Sequence, residues 1–285
     1  MKPTKPTGNA WRTADPPRPW WAFTRAELLV TLAVVATLVV LQLPSLANSR
    51  RSGNAAMCLN NHQQLTRAWR MYAEDNGDRL AGNTGGSSAL NSNLTWCVGW
   101  LDNTRFTPDN TNTLYLLNSQ LGPYARTASI YRCPEDTSLS RGRTGEPRVR
   151  SVSMNGYLGT SGSPYTAAYR VFNSFAEITA LTPAQAFVFI DEQQDSINDG
   201  GFQVNMAGFS PPNPTQLWMV DYPAAYHSGG AGFGFAVGHA EIRLWVDSRT
   251  TPVLSFGQPL PLNQPSPNNP DVRWLQERTT RPVSP

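Results

Sequence analysis

Three hydrophobic patterns divide the chain. From Leu28 to Leu43 no residue is charged, and only Thr31, Thr37 and Gln42 are polar. This run is apolar on every face, unlike the single stripe of a helix that lies on a core. With Phe23 to Glu27 before it and Pro44 to Leu46 after it, about 24 residues are available, against the roughly 20 needed to cross a bilayer. The expectation is a membrane-spanning helix over 23–46. Cys58, His62, Leu65, Trp69 and Tyr72 then recur at spacings of four, three, four and three. That is one face of a helix, so the pattern predicts a continuation through 47–76. The third pattern is alternation: Phe233, Phe235 and Val237, then Ile242, Leu244 and Val246, separated by Gly238 and His239. It predicts a hairpin. Gly232 and Gly234 weaken the first strand but allow close packing. Phe187 to Ile190 reads as a short strand that runs into Asp191-Glu192.

Punctuation and charge refine this picture. The 285 residues include 24 prolines and 22 glycines, and only 15% are charged. A strand-rich, loop-rich body is therefore expected over 77–250. Pro252, Pro259, Pro261, Pro265, Pro267 and Pro270 exclude a helix or central strand between Thr251 and Pro270. The tail 251–285 is expected to be an extended strap, ending in a short element docked by Val272, Trp274 and Leu275. Residues 1–22 hold Lys2, Lys5, Arg12 and Arg18 against Asp15, which accounts for the whole formal charge of +3. No basic stripe remains in the body, which excludes a nucleic-acid partner. Basic residues before the apolar run, Arg25 included, outnumber Arg50 and Arg51 after it. That bias predicts a single-pass inner-membrane protein with a cytoplasmic N-terminus and a periplasmic or surface head.

The stretch "AFTRAELLV" at 22–30 resembles the N-terminus of type IV prepilins and type II secretion pseudopilins. In that family a basic leader, here 1–22, is removed before a phenylalanine, and the new terminus is methylated. Counting Phe23 as one, Glu27 is fifth and Pro44 twenty-second, as is common there. The resemblance implies processing between Ala22 and Phe23 by a prepilin peptidase. It also implies assembly with other pilin or pseudopilin subunits, through pairing of the Phe23 amine with Glu27. Ala22, where glycine is usual, and Arg25, where an apolar residue is usual, depart from the pattern. "CLNNHQQLTRAWRMYAEDNGD" at 58–78 and "YRCPED" at 131–136 are similar to prepilin-type proteins that carry a His, nine residues, then Asp-Gly. Here that signature falls on His227, Val237 and Gly238, with valine in place of aspartate. The implied fold is α+β, a pilin-like lollipop with a long membrane-spanning helix packed on an antiparallel sheet. The implied function is a structural subunit of a secretion or pilus-like filament. A membrane-anchored binding module that does not polymerise, and a hydrolase-like head, are the alternatives.

Candidate chemistry is sparse. Asp191, Glu192, Asp195 and Asp199 lie in "DEQQDSIND", a segment rich in the oxygen ligands that calcium requires. His227 and His239 would suit zinc, but no third ligand suggests itself. His62 lies on the helix stripe and reads as a structural histidine. Three cysteines, Cys58, Cys97 and Cys133, allow one disulfide with one thiol left over. The family-like positions of Cys58 and Cys133 imply that these two pair.

Overall fold

The computed structural model describes residues 24–84, 91–102, 107–160, 168–179 and 181–283, without the side chains of 42–48. The chain divides into two units after Ser49. Helix α1, Arg25–Asp75, contributes to both.

The start of α1 explains Glu27 locally. The Glu27 carboxylate accepts the Thr24 amide at 2.8 Å and the Thr24 hydroxyl at 2.9 Å, and Thr24 Oγ1 accepts the Glu27 amide at 3.2 Å. This is a reciprocal capping box, which satisfies two amide donors that the first helical turn leaves open. Thr24's donors hold the Glu27 carboxyl below its ordinary range. Ala22 and Phe23, the expected processing site, lie outside the described residues.

The expected membrane span is corrected here. Among the described residues no helix is long and apolar enough to cross a membrane. The single-pass inner-membrane placement and the lollipop built on a spanning helix are not sustained.

The second unit, Arg50–Pro285, is a helix-on-sheet body. After α1 come two single-turn helices, α2 (Leu114–Leu117) and α3 (Gly122–Ala125). A small hairpin follows, β1 (Leu139–Arg141) and β2 (Thr144–Pro147). The main sheet uses β3 (Val152–Asn155), β4 (Phe187–Asp191) and β5 (Gly201–Phe202). Short β6 (Trp218–Met219) precedes β7 (Gly230–Phe235) and β8 (Ala240–Leu244). The chain ends with β9 (Gln264–Pro265) and α4 (Pro270–Thr279).

The main sheet has the order β5-β3-β4-β7-β8. The expectation of a wholly antiparallel head is corrected, because β3 and β5 run parallel, with Met154 opposite Gly201. A buried loop makes that return possible. Arg150 donates to the carbonyls of Asn198 and Asp199 at 3.3 and 2.7 Å, and Arg148 donates to that of Gln194 at 2.8 Å. These guanidinium bonds satisfy the segment between β4 and β5, which would otherwise bury bare backbone.

Each face of the sheet has its own core. Leu65 and Trp69 of α1 pack with Trp96, Tyr131 and Phe189 on one side. Phe187, Ile190, Phe233 and Phe235 pack with Leu275 and Trp274 of α4 on the other. Phe233 meets Phe187 edge-on at 5.6 Å and Trp274 at 5.0 Å. The Gly-Phe alternation of β7 thus separates a smooth face from an aromatic one. A Cβ at Gly234 would lie 2.6 Å from Thr66 Oγ1 of α1. Helix and strand approach too closely there for any side chain.

The β7–β8 turn occupies residues 236–239. The Gly238 amide donates to the Phe235 carbonyl at 2.7 Å, and Gly238 takes φ +100°. Glycine therefore supplies the left-handed residue, and Val237 needs no positive φ. In the tail, Gln264-Pro265 pairs with β6. Asn269 then caps α4, accepting the amides of Asp271 at 2.8 Å and Val272 at 3.2 Å.

Candidate metal centre

Four distant segments bring ligand-type side chains to one buried point. Cys58 comes from α1, Cys133 from the loop after the 3-10 turn Ala128–Tyr131, Asp191 from the end of β4, and His227 from the turn that enters β7. One donor atom from each lies within 4.8 Å of all the others. Cys58 Sγ stands 3.0 Å from Asp191 Oδ2, and Cys133 Sγ 3.2 Å from His227 Nε2. His227 Nε2 stands 3.8 Å from Asp191 Oδ2. All four residues are buried.

Local structure fixes each group. Cys58 belongs to the helix face that also carries Leu65 and Trp69, so burying that stripe buries the thiol. The Cys133 amide donates to Ser151 Oγ at 2.8 Å. Asp191 is pinned from both sides: Oδ2 accepts the Gly232 amide at 3.1 Å, and Oδ1 faces His62 Nε2 at 3.3 Å. His227 sits in a tight turn in which Ser228 and Gly229 take φ +55° and +92°. Gly232 provides the room, since a Cβ there would lie 2.8 Å from Asp191 Oδ2 and 2.9 Å from the His62 ring.

The electrostatics single out Asp191 as the anion of the group. Burial works to raise its carboxyl, but His62, the Cys58 thiol and His227 outweigh it and hold the group below its usual range. Cys58 is raised, by its hydrogen bond with the Cys133 thiol and then by burial. Cys133 is raised by burial, which also lowers His227.

Both cysteines are free thiols, so the expected Cys58–Cys133 disulfide is corrected. The pair is adjacent, but each sulfur also has a polar neighbour other than its partner. The third thiol, Cys97, lies apart and is pushed up to about 11 by burial.

The expected calcium set is not assembled. Only Asp191 points into the cluster. Glu192 Oε1 accepts the Ser196 hydroxyl at 2.8 Å, and Asp199 Oδ1 accepts the Gly201 amide at 2.8 Å. Asp195 accepts the amides of Ser255, Phe256 and Gly257 at 2.8, 3.0 and 3.2 Å. These carboxylates order the buried loop and the beginning of the strap. His239 is also elsewhere, stacked on Phe235 at 4.4 Å. Of the His227, Val237 and Gly238 signature, only His227 reaches the centre, because β7 carries the other two about 20 Å away.

The chain matches no family model, no curated protein and no solved structure. The resemblance to prepilins and pseudopilins is therefore corrected. With it goes the expectation of N-methylation. Its motifs are short, and in this structure Glu27 acts as a helix cap.

Asp221, a buried acid outside this cluster, gives a pH dependence. Asp221 is pushed up to about 7, chiefly by burial, against the Gln203 amide that donates to it at 2.6 Å and with the charge of Asp199 adding to the rise. An aspartate in an unfolded chain titrates near about 3.9. Between these values the native state holds the extra proton, so this group's stabilisation falls as pH rises from about 4 through about 7. Asp221→Asn is expected to flatten that loss. Thermal unfolding of both proteins between about pH 5 and about pH 8 measures it, and parallel profiles would contradict the assignment.

Proposed function

We propose that this chain is a metal-stapled binding module. One zinc-class divalent ion, held by Cys58, Cys133, Asp191 and His227, clamps the long helix to the sheet. The observation that carries the reading is the convergence of four donor atoms within 4.8 Å from four separate segments. Zinc bonds of about 2.3 Å to sulfur and 2.0–2.2 Å to nitrogen or oxygen give tetrahedral edges of about 3.3–3.8 Å. Three of the six donor separations, 3.0, 3.2 and 3.8 Å, lie near these edges, and all six fall within 4.8 Å. Two thiolates and an imidazole favour a borderline-soft ion over calcium. His62 on Asp191 Oδ1 is the outer partner that orients a coordinating carboxylate. Four protein ligands close the coordination sphere, which suits a structural ion whose binding energy becomes folding energy.

Elemental analysis of the purified chain tests this. About one equivalent of zinc per chain is expected, and much less in Cys133→Ser. Cobalt substitution of the unaltered chain is expected to produce thiolate charge-transfer absorption, which needs no variant. A folded chain that takes up neither zinc nor cobalt would overturn the reading.

A further inference from the structure

A cavity of about 470 Å³ opens beside the metal centre, with His227 as a shared wall. Arg51, Ser52 and Ala55 of α1 form one side, and Glu135, Ser228 and Ile242 another. Its two charges are opposite in sign, yet they are not paired with each other. Among the described residues neither Arg51 nor Glu135 joins an ion pair. Glu135 is held in place by Asn54, whose Nδ2 donates to Oε1 at 2.6 Å. The hydroxyls of Ser52 and Ser228 add hydrogen-bonding capacity, and Ala55 and Ile242 add apolar wall. The volume falls within the range of small-molecule sites, which combine apolar lining with a few placed polar groups.

We infer that this cavity binds a small zwitterion of dipeptide size, with its carboxylate on Arg51 and its ammonium on Glu135. An anion alone would leave Glu135 facing like charge, and a cation alone would do the same to Arg51. A molecule carrying both charges on a short apolar frame satisfies both residues. The inference does not depend on the ion, because neither charged residue is among the metal ligands.

Calorimetry on the full chain with alanylalanine tests it. Saturable binding is expected, weakened about tenfold or more when the peptide is N-acetylated or C-terminally amidated. Arg51→Met is expected to remove the discrimination against the amide, and Glu135→Gln that against the acetyl form. Metal content should stay unchanged in both variants, which separates this test from that of the metal centre. Absence of saturable binding at tens of millimolar peptide would overturn the inference. So would equal affinity for the capped peptides.

Discussion

Asp191→Ala is expected to lower the stability of the body by about 3–5 kcal/mol, the range for breaking a buried ion pair from one side. The carboxylate is fully buried and touches Cys58, His62, His227 and the Gly232 amide. Alanine would leave the His62 ring and the Gly232 amide facing a void. For a body of this size each kcal/mol moves the melting temperature by about 2–4 °C, so a fall of roughly 10 °C is expected. Metal content should fall with it. Asp191→Asn keeps an acceptor for Gly232 but loses the charge, and should lie between alanine and the native chain. Urea unfolding of the three proteins measures the series. Native-like stability of the alanine variant would mean that Asp191 is a spectator.

Gly232→Val is expected to be nearly as damaging for the opposite reason. The new Cβ would stand within 3 Å of both Asp191 and His62. Neither can retreat, because one ends the central strand and the other belongs to α1. Overpacking of this kind costs about 1–3 kcal/mol and sometimes more. Here it also displaces a proposed metal ligand, so metal content should drop together with stability. Gly53→Ala is the contrasting case. It lies within α1 and nothing stands within 4 Å of its would-be Cβ, so alanine should stabilise the helix by up to about 1 kcal/mol. Helical circular dichroism during unfolding distinguishes the two. Equal effects would contradict the close approach of α1 to β7.

Local features of the body were legible in the sequence. The helix stripe was visible: Cys58, His62, Leu65 and Trp69 are buried, and Tyr72 is half-buried against the same core. The alternation of Phe233 and Phe235 and that of Ile242 and Leu244 announced the β7–β8 hairpin. The docked tail element was announced by Val272, Trp274 and Leu275. The metal centre was not legible as a unit, although Cys58, Cys133, Asp191 and His227 were each marked, for a disulfide, for calcium and for a signature. No local spacing links residues that lie tens of positions apart in the chain, and only the sheet order brings them together. The one local hint was Cys58 and His62 at helical spacing i, i+4, which places a thiol and an imidazole on the same face. The parallel strand β5 was missed because two residues carry no periodicity. Glu27 was paired with the Phe23 amine, although Thr24 three residues earlier already formed a capping pattern.

X-ray absorption at the zinc edge of the metal-loaded full chain tests the central claim most directly. Two sulfur neighbours at about 2.3 Å and two nitrogen or oxygen neighbours at about 2.0–2.2 Å are predicted. A shell of light atoms alone would show that the thiols of Cys58 and Cys133 do not hold the ion, and would contradict the account.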